Sequence, residues 1–277
     1  MILSAREVAQ VRQLGLLAEK VRRGQLQGER EMRRAGPGSG FREHRAYHPG
    51  DALRRVDWNV YARMDALAVK EFDAEEALDL LLVHDASASM RGGAALCAAK
   101  VCAALGMIAR AQRERVQYLR MGGRGGGRSG EGLDAIDSEV SGGTDLLAAL
   151  RGALPRQARG GVAFVVSDFF DPKGAAAALS RLLAHRYRVR ALLIEDMQAL
   201  QPPPPGRTRL VDSETGEAVR LDINRETTEL YHRAREARAL GLGAFCRRTG
   251  IGFLRVRAEQ PLFEIVRAAI ARGWLSR

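Results

Sequence analysis

Aromatic residues are scarce in this chain, 5% of 277 residues, and lysine is scarcer, with only Lys20, Lys70, Lys100 and Lys173. The three cysteines, Cys97, Cys102 and Cys246, form neither a CxxC pair nor an even-numbered framework. They read as free thiols of a reducing compartment. The N-terminus has no signal-peptide h-region, and no run is read as approaching the roughly 18 apolar residues of a membrane span. A cytoplasmic protein is the expectation. Hydrophobic residues at 46% and charged residues at 28% indicate a globular chain with ample core, not a disordered one.

Lys+Arg 44 against Asp+Glu 33 gives a formal charge of +11, which raises nucleic acid or an acidic partner as a candidate. The charge is carried almost wholly by arginines scattered through every segment. Neither clustering nor interleaved stacking aromatics accompanies them, and both are usual at nucleic-acid sites. A basic nucleic-acid-binding protein is therefore the alternative reading, not the leading one.

Residues 1–35 carry apolar positions at helical spacing, broken by "AGPGSG" at 35–40. A densely charged segment follows, punctuated by Pro49-Gly50-Asp51. From residue 78 the rhythm changes to alternating strands and helices. "LDLLLVHD", "RVQYLRMG", "GVAFVVSDFF", "RVRALLIEDM" and "GFLRVRA" read as strands, with alanine- and leucine-rich helices between them. That alternation predicts an α/β fold: a Rossmann-like, doubly wound, mostly parallel sheet. The expected organisation is a small helical/β subdomain over 1–75 and a sheet domain over 76–277, with a β-hairpin insertion near 207–223 turning at Glu214-Thr215-Gly216. "GGRGGGRSGEG" at 122–132 lacks the Gly-Lys-Ser/Thr ending of a phosphate-binding loop and reads as a surface loop.

In such sheets ligands bind beyond the carboxyl ends of the strands, at the switch in strand order. Asp85 ends the first core strand, with Ser87 and Ser89 at alternate positions after it. Thr144 in "SGGTDLL" precedes a helix, and Asp168 follows "VAFVVS". An extended loop turns alternate residues to one side, so Asp85, Ser87 and Ser89 can aim oxygens at one point. Carboxylates and hydroxyls together make a hard, all-oxygen shell of the kind magnesium takes. Hydroxyls in place of further acids would leave the ion under-neutralised and open to an incoming carboxylate. Ser89 and Thr144 also suit helix N-caps. An acyl-transfer reading needs a histidine base, and none of His44, His48, His84, His185 and His232 forms a motif with either serine. His84, inside the apolar strand, reads as a core histidine. No enzymatic activity is expected.

The constellation Asp85-x-Ser87-x-Ser89, Thr144, Asp168 resembles the metal-ion-dependent adhesion site of von Willebrand factor A domains over roughly residues 76–200. That resemblance implies one divalent ion, usually magnesium, with manganese or calcium as substitutes, held by those five residues and completed by a partner's acid. The upstream segment is similar to the signature of bacterial proteins grouped as domain of unknown function 58. Its matching residues are Arg45, Tyr47, Gly50, Asp51, Arg55, Asp57, Trp58, Ala62, Arg63, Lys70, Phe72 and Glu75. The family's Gly-x-Glu-Phe stands here as Gly38-Ser39-Gly40-Phe41, without the acid, and its frequent N-terminal membrane helices have no counterpart. The resemblance implies a MoxR-type AAA+ ATPase as partner, in complex assembly or chaperoning. By their own chemistry Arg45, Asp51, Arg55, Asp57 and Arg63 suit a structural ion-pair network, with Trp58 as a packing anchor.

Overall fold

The computed structural model describes residues 2–12, 14–16, 40–48, 51, 56–73, 79–122, 128–130, 136–143, 145–154, 160–213 and 215–276. The chain divides into two compact units, Met1–Glu19 with Leu78–Arg277, and Lys20–Ala77.

The larger unit is built on a six-stranded sheet. Its strands are β4 (Asp79–Asp85), β5 (Arg115–Met121), β6 (Arg128–Gly130), β7 (Gly161–Ser167), β8 (Tyr187–Glu195) and β11 (Gly252–Arg257), in spatial order β11-β8-β7-β4-β5-β6. The five strands other than β6 are parallel, and β6 is an antiparallel edge. The expected Rossmann-like, mostly parallel α/β sheet is what forms. The strand β6 falls inside the glycine-rich stretch expected to be loop, because Tyr118, Leu119 and Arg120 leave an edge for Gly130, Ser129 and Arg128 to pair with.

Each central strand is apolar on both sides, and its alternation divides the core in two. Leu80 and Leu82, with Phe164, Leu192 and Val256, face α3 (Gly93–Ala111) and α7 (Leu262–Ala271). Leu81 and Val83, with Val165, Leu193 and Ala163, face α4 (Leu146–Ala153), α5 (Pro172–Ala184) and α6 (Arg225–Thr249). Half of the buried residues of α3 are alanine, including Ala94, Ala98, Ala99 and Ala109, which lets the helix backbone lie close on the sheet. By length and composition α3 could cross a membrane, with mean hydropathy 1.6, against the expectation that no stretch approaches a span. Its apolarity has a physical cause here, since 67% of it is buried inside this unit.

Two further pieces complete the larger unit. Helix α1 (Ala5–Val11) opens with a capping box between Ser4 and Glu7, buries Val11, and is tied to α3 by Lys100 Nζ to Glu7 at 2.9 Å. The short β1 (Gly15–Leu16) pairs antiparallel with β12 (Leu275–Ser276) near the C-terminus. Two expectations are corrected by this. The helix ends well before residue 35, giving way to a strand at Gly15–Leu16, and residues 17–39 lie outside the described residues. The first nineteen residues also group with the sheet and not with the signature segment, because Leu3 and Val11 are part of the core on the α3 face. The expected hairpin is present as β9 (Gly206–Val211) and β10 (Ala218–Ile223), paired from Val211–Ala218 to Gly206–Ile223.

The smaller unit pairs β2 (Gly40–Ala46) with β3 (Ala68–Asp73) antiparallel, with a bulge between Phe41 and Glu43. The helix α2 (Trp58–Met64) is capped by Asp57, whose carboxylate accepts from the Asn59 amide at 3.0 Å. Asp65, at φ 49, ends it in the left-handed region.

Candidate metal centre at the switch point

After β4 the chain moves to β5 on one side, then crosses to β7 on the other. The carboxyl ends of β4 and β7 therefore flank the switch in strand order, where an open α/β sheet leaves a crevice. Asp85 and Ser167 are the last residues of those two strands.

Asp85 is fully buried, as is Ser87. The Ser87 amide donates to Asp85 Oδ1 at 3.0 Å and the Ser167 hydroxyl to Oδ2 at 2.5 Å. Burial pushes the Asp85 carboxyl up to about 6, and the charge of Asp168 adds to the rise, against the hydrogen bonds that lower it. Ser87 Oγ and Ser89 Oγ lie 3.0 Å apart, Ser89 on the more open side. Asp168 is half-buried and its Oδ1 accepts from the Phe170 amide at 3.0 Å. Four of the five predicted residues thus sit at the ends of neighbouring strands, while Thr144 lies outside the described residues. The Ala88 amide donates to Gly142 O at 2.9 Å, and the Ser141 amide to Ala86 O at 3.0 Å. Asp145, and not Thr144, is the N-cap of α4, accepting from the Ala148 amide at 2.8 Å.

Gly122 permits this arrangement. It has φ 98, and a Cβ there would meet the Ala86 carbonyl oxygen at 2.4 Å. Ser89 makes no helix cap. The N-cap position of α3 is Gly92, and the amide of Gly93 is satisfied from the end of β8, by Asp196 Oδ2 at 2.8 Å. Asp196 also accepts from Gln198 and Ala199 amides, and although burial opposes it, these N–H donors hold its carboxyl below the usual range. Sequence reasoning did not single out Asp196. The sole signal was an acid immediately after an apolar strand, the same pattern that marked Asp85. With a carboxylate already seated at the α3 N-terminus, a nucleotide phosphate would meet repulsion there.

A divalent cation fits these residues. A buried carboxylate raised by burial and by a second carboxylate is stabilised by a positive charge between them. The hydroxyls of Ser87 and Ser89 add neutral oxygens of the kind hard cations accept. Among the described residues no group of three or more His, Cys, Asp or Glu side chains is placed to hold a metal, so an ion here depends on hydroxyl oxygens. Serine nucleophilic chemistry fits less well. His84 lies on the opposite face of β4 from Asp85 by strand alternation. Its Nδ1 is 2.6 Å from Tyr118 Oη, and burial, then the charge of Arg120, brings it down to about 4.

The signature residues are partly ion-paired, as expected. Arg45 bonds Asp51 at 2.9 Å, and His44 Nε2 lies 2.8 Å from Asp57 Oδ2. Gly50, Arg55 and Glu75 lie outside the described residues, as do the side chains of Lys70 and Phe72. Trp58 departs from expectation: it is 57% exposed on α2, edge-on to Tyr61 at 6.2 Å, and does not act as a buried anchor.

A family model described as "Protein of unknown function DUF58" matches residues 43–239. Uncharacterized proteins of Mycobacterium tuberculosis (Rv1480) and Mycobacterium bovis (Mb1516) are each 30% identical over 285 residues, covering 95% of this chain and 89% of theirs. Among solved structures, the conserved hypothetical protein BatB of Bacteroides thetaiotaomicron is similar with TM-score 0.36 and 12% identity, covering 71% of this chain and 97% of that one. An aerotolerance-related membrane protein of Bacteroides fragilis gives TM-score 0.37 and 13% identity, covering 71% and 98%.

Proposed function

This chain belongs to the DUF58 family, and on that premise we propose that it is a non-enzymatic adaptor with a von Willebrand factor A-like metal-ion-dependent adhesion site. Asp85, Ser87, Ser89, Thr144 and Asp168 would hold one divalent ion, magnesium in the first place and manganese or calcium as substitutes. The observation that carries the reading is the placement of Asp85, Ser87, Ser89 and Asp168 together at the switch point, with Asp85 buried and its carboxyl raised by burial and by Asp168.

The bound ion would supply an open position for an oxygen anion. The chain's own residues do the rest. Ser167 and the Ser87 amide fix the Asp85 carboxylate. Asp196 holds the amide at the start of α3, and with it the end of the Ser87–Gly93 loop. The partner is a protein that presents a carboxylate. A MoxR-type AAA+ ATPase in complex assembly or chaperoning is the partner that the family resemblance supports, and a cytoplasmic location goes with it.

Calorimetric titration of magnesium and manganese into the wild type and into Asp85→Ala tests the metal. Saturable binding to the wild type alone is expected, and equal behaviour of the two overturns the reading. Co-purification with the ATPase, with and without chelator, tests the partner. Retention only in the presence of the ion is the expected result.

A further inference from the structure

Ser167 belongs to two places at once. Its hydroxyl donates to Asp85, and its other side lines a cleft of about 320 Å³ between the start of α4 and the loop that leads into α5. Leu146, Leu147, Phe169 and Ala175 give this cleft an apolar lining, and the exposed Asp145 and Asp171 stand among its polar residues.

The loop between Ser167 and α5 sets the shape of the wall. Ser167 Oγ accepts from the Phe169 amide at 2.9 Å, and Phe169 takes φ 47, in the left-handed region that a bulky residue rarely adopts. Two consecutive phenylalanines thereby part company: Phe169 is 3% exposed and Phe170 is 62% exposed. The Phe170 ring is also propped, with the Arg238 guanidinium 5.0 Å from its centroid. A large aromatic surface is thus held in water beside an apolar recess, one hydrogen bond away from the metal-site carboxylate. The volume stands at the lower end of ligand pockets. It suits one or two amino-acid side chains and is too small for a dinucleotide.

We propose that this cleft is the specificity subsite of the adhesion site, and that it takes an apolar side chain adjacent to the partner's acidic residue. The inference rests on the metal-dependent reading above and names the chemistry of its ligand: a single Glu or Asp flanked by Leu, Met or an aromatic. The acid goes to the ion, and its apolar neighbour packs on Leu147 and Phe170. Asp145 and Asp171 line the cleft, and Arg238 stands over Phe170 at its edge, so its selectivity lies in the apolar lining and not in charge.

The test uses the full chain and fluorescein-labelled peptides, read by anisotropy with saturating magnesium or with EDTA. Magnesium affinity of every variant is first measured alone by calorimetry. The probes are glycine hexapeptides carrying one glutamate, one glutamate with leucine on either side, and hexaglutamate. The leucine-containing peptides should bind at least tenfold tighter than the peptide with glutamate alone, as burial of one Leu side chain would give. Hexaglutamate, which has no apolar side chain, should be weaker than the leucine-containing peptides, and EDTA should abolish all binding. Phe170→Ser, at an exposed position, and Leu147→Asn should erase the preference for leucine and leave magnesium affinity unchanged. Equal affinities across the peptides, a preference that survives both substitutions, or no peptide binding to the magnesium-loaded protein overturns the subsite and leaves the metal site standing. Failure of magnesium itself to bind overturns the metal reading, and the subsite with it.

Discussion

Ser167 donates its hydroxyl to Asp85 Oδ2 at 2.5 Å, joining the carboxyl ends of β7 and β4 across 82 residues of sequence. The bond closes the crevice at the switch point on one side and holds a buried carboxylate in one orientation. Burial and the neighbouring Asp168 both oppose the charge on that carboxylate.

That charge is costly to the empty protein. Asp85, pushed up to about 6 by burial and by Asp168, is ionised at neutral pH against the preference of its surroundings. Asp85→Asn should therefore abolish magnesium binding and yet stabilise the metal-free protein at pH 7.5 by about 1–2 kcal/mol, since one pKa unit corresponds to about 1.4 kcal/mol. Chemical denaturation of both proteins in EDTA measures the gain. A destabilised variant would mean that the carboxylate is held for the fold's sake.

Asp196 gives the opposite result. Its carboxylate accepts from the amides of Gly93, Gln198 and Ala199. Asp196→Ala leaves these donors without their acceptor, at a cost of about 1–3 kcal/mol. It also loosens the end of the loop that carries Ser87 and Ser89. Thermal unfolding should fall, and magnesium affinity should weaken at least severalfold under conditions where the protein is still folded.

Glu7 supplies a pH signature away from the site. Burial would raise its carboxyl, but Lys100 and the Ser4 amide and hydroxyl outweigh it and bring it down to about 2. A folded-state value below the unfolded one contributes stability above about pH 4.5, lost as pH falls toward 2. With solvent screening the contribution is about 1 kcal/mol. Wild type should exceed Glu7→Gln in stability at pH 7, and urea titrations should show the gap closing as pH falls from 4.5 toward 2.

Gly122→Ala is expected to be severe for so small a change. The added methyl would meet Ala86 O at 2.4 Å and Ser141 O at 2.8 Å, at a φ of 98 that alanine disfavours. A loss of about 2 kcal/mol or more in stability is expected. Magnesium binding should weaken with it, because Ala86 lies between Asp85 and Ser87. An unperturbed affinity would show that the loop can shift without moving the ligands.

The parts of this fold that were legible in the sequence are those set by local pattern. The run Leu80–Val83 ending at Asp85 announced both a buried strand and its edge. The strand ending at Ser167, the long helix Arg225–Thr249 and the hairpin followed from the same kind of signal. Asp85, Ser87 and Asp168 were legible because each stands at an element boundary, and Ser89 because it follows Ser87 at the alternate position. What stayed hidden depends on partners distant in the chain. Ser167 as a donor to Asp85, and Asp196 as the acceptor at the start of α3, require knowing that β7 and β4 are neighbours and that β8 ends near α3. The strands Gly15–Leu16 and Leu275–Ser276 are two residues each and carry no periodicity; they exist because they meet each other. The charged signature gave the Arg45–Asp51 pair but not His44 as the partner of Asp57, and it misled on Trp58, since a tryptophan among charges looks like an anchor when its exposure is unknown.

The chain enters the sheet unit, leaves it after residue 19, and re-enters at residue 78. With Gly15–Leu16 fastened to Leu275–Ser276, the segment 20–77 is topologically an excursion from a body begun before it and finished after it. Such a cassette is leashed at both ends. All six strands of the central sheet, and the pair Gly15–Leu16 with Leu275–Ser276, come from outside that segment.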